Sequence, residues 1–76
     1  MEQFLSHFAD AVNQPDTPFS PDQELKDLPN WDSLAILTTL SMLDEQYNVS
    51  LTGTDLQSCT TISDIYDKVK ERNPDA

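Results

Sequence analysis

The sequence predicts an all-α fold of three longer helices and one short third helix, and three observations carry that prediction. Three stretches repeat apolar residues at the three-and-four spacing of a helical face. Gly53 is the single glycine, too few for the tight hairpins of an antiparallel β fold, which need residues of positive φ. Ser, Thr or Asp stands just ahead of each later helical stretch, where a helix N-terminus needs a side-chain acceptor. At 76 residues the chain makes one domain, residues 1–76, because so short a chain cannot divide its apolar residues between two cores.

The first helix is predicted over Phe4 to Val12, where Phe4, Leu5, Phe8, Ala11 and Val12 fall on one face. It should fade by Pro15, since proline lacks a backbone donor and biases the residue before it away from helix. Asn13 to Pro29 holds four prolines and reads as a long connection. Within it, Ser20-Pro21-Asp22-Gln23 has the serine cap, first-turn proline and glutamine of a helical start, so a single helical turn is expected there.

The second helix, Ser33 to Tyr47, is the longest, entered through Pro29-Asn30-Trp31 with Asp32 as its cap. At about 100° per residue, Ile36, Leu40, Leu43 and Tyr47 form its core stripe, while Leu34 lies roughly 150° and Leu37 roughly 90° away from it. Both leucines therefore face outward, with Thr38, Ser41, Asp44 and Glu45; for Leu37 the alternative is burial against the proline-rich connection. Thr52-Gly53-Thr54-Asp55 supports a short third helix over Asp55 to Ser58. Thr61-Ile62-Ser63-Asp64 repeats the threonine-acid signal ahead of a fourth, whose stripe is Ile62, Ile65, Tyr66 and Val69. Lys68, Lys70 and Arg72 suit its C-terminal dipole, and Asn73-Pro74 ends it. The first, second and fourth helices should enclose the core, resting on Phe4, Phe8, Leu40, Leu43, Ile62 and Ile65.

Fourteen acidic residues against four basic ones give a formal charge of −10, and residues 1–67 hold twelve acids against Lys26 alone. Such a field repels nucleic acid and anionic lipid and favours a basic partner. Cys59 is the one cysteine, so there is no intrachain disulfide and no cysteine zinc cage, and a reducing cytoplasm is the expected compartment. Met1 to Val12 lacks the basic cluster and apolar run of a leader, and no stretch is long enough to span a membrane. A soluble cytoplasmic monomer is expected.

Catalytic residue types are scarce. His7 sits one position off the first helix's stripe and reads as a surface histidine, and Cys59 as a small buried hydrophobe. The carboxylates lack calcium-loop spacing, so no metal site and no active site are expected. Trp31-Asp32-Ser33-Leu34 stands apart. Ser33 projects its hydroxyl at the start of the longest helix, where free amides and the positive dipole end favour an attached phosphodiester, with Leu34 and Leu37 beside it. The alternative is that Asp32 and Ser33 only cap the helix, and these four residues taken alone favour that alternative.

The wider pattern resembles a known family. Asp27-Leu28-Pro29-Asn30-Trp31-Asp32-Ser33-Leu34, then a long helix ending Leu43-Asp44-Glu45-Gln46-Tyr47, closely resembles acyl carrier proteins; Asn48-Val49-Ser50-Leu51 and Thr60-Thr61-Ile62-Ser63-Asp64-Ile65 look like that family's links into its third and fourth helices. Roughly residues 25–70 match. The resemblance implies a four-helix acyl-carrier-like bundle in which Ser33 carries 4'-phosphopantetheine, transferred from coenzyme A by a phosphopantetheinyl transferase. The arm's thiol would hold an acyl group as a thioester, and the chain would be a carrier and not itself an enzyme. Asp32 matches the acid before the serine. Leu34, Leu37, Asp44 and Glu45 would form the surface read by the basic docking patches of acyl-activating, condensing or acyl-transfer enzymes. Ala35 and Thr38 stand where fatty-acid-synthesis carriers commonly have acids, and Trp31 with its Leu-Pro-Asn lead looks more like stand-alone carriers of specialised pathways, polyketide ones among them. Aminoacyl or peptidyl carriers share the fold. An unmodified acidic adaptor that binds a basic partner is the reading from a different class.

Overall fold

Local capping sets where the helices begin. The computed structural model of the chain describes residues 2–14, 17–28 and 31–75. Helices α1 (Glu2–Ala11), α2 (Ser33–Tyr47), α3 (Gly53–Gln57) and α4 (Ile62–Arg72) follow in order, with one 3-10 turn at Leu25–Asp27. Among the described residues there is no β-strand, so the fold is the all-α bundle that the sequence predicts. The expected stop at Pro15 and the Pro29-Asn30 lead lie outside the described residues; α1 itself ends at Ala11, one residue before the predicted limit.

Two of the starts are reciprocal capping boxes. The Thr52 hydroxyl accepts from the Asp55 amide at 3.2 Å while Asp55 accepts from the Thr52 amide at 3.0 Å. Thr61 and Asp64 repeat the arrangement at 3.2 and 3.1 Å, and Asp64 also accepts from the Thr60 amide at 2.9 Å. With Thr52 as cap, α3 begins at Gly53, two residues ahead of the predicted start. These hydrogen bonds hold the Asp55 and Asp64 carboxyls below the ordinary carboxylate range, since each amide donor favours the charged form.

The connection between α1 and α2 departs from expectation. Ser20 to Gln23 forms only a turn, closed by the Gln23 amide on the Ser20 carbonyl at 3.1 Å, and the helical turn comes later, at Leu25–Asp27. Tertiary pairing is the cause. The Ser63 and Ile62 amides donate to the Pro21 and Gln23 carbonyls, the Leu25 amide donates to Thr60, and Glu24 bridges Thr61 in antiparallel fashion. Residues 23–24 must be extended to make those bonds, which displaces the helical turn.

Phe4 and Phe8 of α1, Leu43 of α2, and Ile62, Ile65 and Val69 of α4 are fully buried. So are Leu25, Val49 and Leu56, so the connections and α3 close a core that the three long helices do not enclose alone. On α2 the buried stripe is Ala35, Ile36, Thr39 and Leu43. Leu40, expected in the core, is only half-buried against it, because the helix is rotated to bring Thr39 inward. Polar character hides Thr39 from any reading of hydrophobic periodicity.

Aromatic contacts tie the two ends of the bundle to α1. The Phe4 ring meets Tyr66 edge-on at 5.0 Å and Tyr47 at 5.6 Å. Phe8 meets Phe19 edge-on at 5.6 Å and Trp31 at 5.9 Å. The second set anchors the chain immediately before α2.

Candidate functional site

The end of α2 nearest the connection is built residue by residue from that anchor. Leu28 is buried, the Trp31 amide donates to its carbonyl at 3.3 Å, and the half-buried Trp31 ring lies against Phe8. Asp32 then turns extended (φ −123°, ψ −172°), and its side chain accepts from the Ala35 amide at 3.0 Å, which fixes the helix start. Ser33 is the first helical residue and is exposed. Its hydroxyl leaves the N-terminus of a 15-residue helix whose first-turn amides have no intrahelical acceptor.

This geometry fits a phosphodiester on Ser33. The Asp32 carboxylate is turned back onto the Ala35 amide, so the cap is satisfied without the Ser33 hydroxyl. The positive end of the α2 dipole faces the position a phosphate would take. A cavity of about 400 Å³ opens beside Ser33, walled by Leu25, Lys26, Trp31, Ile36 and Cys59. Trp31 stands out in the sequence, where Lys26 is only a lone cation; the 3-10 turn and the α3–α4 junction bring Lys26 and Cys59 to this wall, and only the tertiary pairing places them there. Lys26 pairs with Glu24 at 3.4 Å, both side chains solvent-exposed enough for the pair to add little stability.

Cys59 and His7 are both half-buried, so Cys59 is less enclosed, and His7 less exposed, than the sequence suggests. Burial pushes the Cys59 thiol up, and its sulfur donates to the Asp55 carbonyl at 3.3 Å, which favours the protonated thiol over a nucleophilic thiolate. His7 is half-buried with its ring edge-on to Tyr47 at 5.8 Å. Among the described residues no three His, Cys, Asp or Glu side chains could hold a metal ion, and no helix is long and apolar enough to cross a membrane.

Leu34 and Leu37 are 67% and 58% exposed, the large apolar side chains left in solvent among the described residues, so Leu37 is not covered by the connection. Asp44 and Glu45 are exposed in the last turn of the same helix. At about 1.5 Å per residue the acids lie roughly 17 Å from Leu34, and at about 100° per residue Glu45 returns to within about 20° of its direction. The structure thus strings the exposed leucines and the acidic pair along one outward side of α2, with Ser33 at its head.

A family model described as phosphopantetheine attachment site matches residues 2–69. Among curated proteins and among solved structures, none matches the chain.

Proposed function

The chain belongs to the phosphopantetheine attachment-site family, and from that premise we propose that Ser33 is the attachment residue. The family holds 4'-phosphopantetheine covalently, and its domains are carriers. In this reading the arm arrives from coenzyme A through a phosphopantetheinyl transferase, and its thiol holds an acyl group as a thioester for delivery to the enzymes of a fatty-acid-like, polyketide or other specialised pathway. Ser33 is modified and performs no chemistry afterwards.

The observation that carries the assignment is the exposed Ser33 hydroxyl at the head of the 15-residue α2, with the cap already satisfied by Asp32. Each of this chain's residues then has a task. Asp32 fixes the start of the helix, and the first-turn amides and dipole stabilise the phosphodiester charge. Leu28 is buried in the core and Trp31 packs against Phe8, which ties the residues ahead of Ser33 to the core. The thiol and its thioester supply the acyl-carrying chemistry once the arm is attached. The roughly 400 Å³ cavity beside Ser33 offers the arm's root apolar contact with Leu25 and Ile36.

Leu34, Leu37, Asp44 and Glu45 form the surface that partner enzymes read, with basic residues on the partner's side. Leaving two leucines in water does nothing for folding, and the acids supply the complementary field. Incubation with coenzyme A and a broad-specificity transferase tests the proposal: intact mass should rise by one phosphopantetheinyl group. A chain that stays unmodified while a control carrier is converted would favour the unmodified adaptor.

A further inference from the structure

Residues 1–67 hold a single cation, Lys26, and the fold sets it beside Ser33. Lys26 is the middle residue of the 3-10 turn Leu25–Asp27. The buried Leu25 ahead of it donates its amide to the Thr60 carbonyl at 2.9 Å, and the buried Leu28 closes the turn by donating to the Leu25 carbonyl at 3.1 Å. The lysine stem therefore starts from backbone held to the core on both sides. Lys26 and Ser33 wall the same cavity of about 400 Å³, and so does Asp32. The other cations, Lys68, Lys70 and Arg72, belong to α4, and none of them lines it.

Resting on the carrier reading above, we infer that Lys26 is the counter-ion of the phosphodiester on Ser33, a positioning residue that draws the root of the arm toward the Leu25 side of this cavity.

Folding does not account for this lysine. Its pair with Glu24 is 3.4 Å long, between side chains 76% and 42% exposed, and such a pair contributes little. The ammonium has three N–H donors, so with one used on Glu24 two remain for phosphate oxygens. The need for a cation lies at Ser33. A phosphodiester there adds negative charge to a chain already at −10, next to the Asp32 carboxylate. The α2 dipole and first-turn amides offset part of that charge, but Asp32 has already taken the Ala35 amide. A point charge on a flexible four-carbon stem, rooted on the wall of the same cavity, offsets more of it. The pairing also has a direction. Leu34 and Leu37 do not line this cavity, so Lys26 draws the root of the arm away from the exposed leucines.

The test loads the wild type, Lys26→Gln, Lys26→Arg and Lys70→Gln with coenzyme A and a phosphopantetheinyl transferase. Lys70 is the control cation. It lies over Tyr66, whose neighbour Phe4 meets Tyr47 at the far end of α2, about 20 Å along the helix from Ser33 and beyond the Debye length of about 8 Å. Acetylation of each lysine is followed by peptide mass spectrometry. Lys26 should react about two- to fivefold more slowly in the loaded wild type than in the unloaded chain, the effect of an exposed ion pair, while Lys70 should not change. About 1 M salt should remove the difference. The phosphorus NMR resonance of the loaded chain should move in Lys26→Gln, stay near the wild type in Lys26→Arg, and be unmoved in Lys70→Gln. Lys26 is exposed, so its variants should fold, as far-UV circular dichroism of the unloaded chains checks. Equal acetylation of Lys26 before and after loading, or a phosphorus resonance indifferent to Lys26→Gln, would overturn the pairing. Slower loading of Lys26→Gln with both readouts unchanged would assign the lysine to the transferase complex, and the proposal would fall. These failures are read on a loaded chain and leave the carrier reading standing; a wild type that is never loaded would remove both.

Discussion

Thr38 and Thr39 are neighbours on α2 that should respond in opposite directions to the same substitution. The Thr39 side chain is 0% exposed and its hydroxyl has no hydrogen-bond partner among the described residues. Burying a hydroxyl unpaired costs about 1–3 kcal/mol, and valine keeps the branched shape while removing the polar atom. Thr39→Val should therefore stabilise the domain by about 1–2 kcal/mol. The Thr38 hydroxyl, by contrast, donates to the Ala11 carbonyl at the end of α1 and lies 3.0 Å from the Ala35 carbonyl. Thr38→Val should cost about 0.5–1.5 kcal/mol, the usual net worth of one hydrogen bond. In a domain of this size each kcal/mol moves Tm by about 4–8 °C, so the two variants should separate clearly. Urea unfolding followed by far-UV circular dichroism measures both, with unchanged slopes showing that only stability has moved. Two changes of the same sign, or a less stable Thr39→Val, would refute the placement of Thr39 in the core.

Leu43→Ala, which empties a fully buried position, should cost about 2–5 kcal/mol in the same assay, while Leu34→Ala should leave stability nearly unchanged and weaken transferase binding. Reversing the charges at Asp44 and Glu45 should slow transferase association and flatten its salt dependence, measured by stopped flow. Asp55 and Asp64 have folded pKa values below the ordinary carboxylate value of about 3.9, so their capping contribution is present above that pH and lost as pH falls through the folded values. With general charge repulsion screened by about 1 M salt, the acid limb of stability should be shallower in Asp64→Asn; an equally steep limb would contradict the capping role. Added salt should also raise Tm at neutral pH, given a net charge of −10, and a salt-independent Tm would show that repulsion matters little.

The parts of this molecule legible in the sequence are those decided within a few residues. Asp32 ahead of Ser33 and the Thr-x-x-Asp boxes at Thr52 and Thr61 depend on side chains reaching amides three residues on, and the structure holds them there. The outward placement of Leu34 and Leu37 follows from helical angle alone. What depends on another element was not legible. Extension at residues 23–24 comes from pairing with the start of α4, and the burial of Thr39 from how α2 rolls onto its neighbours. Lys26 and Cys59 reach the wall beside Ser33 only when distant segments meet. Ser33 could be named early because its position is set by the local start of one helix.

The most direct test of the central claim is the mass of the intact chain and of its Ser33→Ala variant after incubation with coenzyme A and a phosphopantetheinyl transferase. The wild type should gain a single phosphopantetheinyl group, localised to Ser33 by fragmentation, and Ser33→Ala should gain none. Modification that persists in Ser33→Ala, or that maps to another serine, would contradict the assignment.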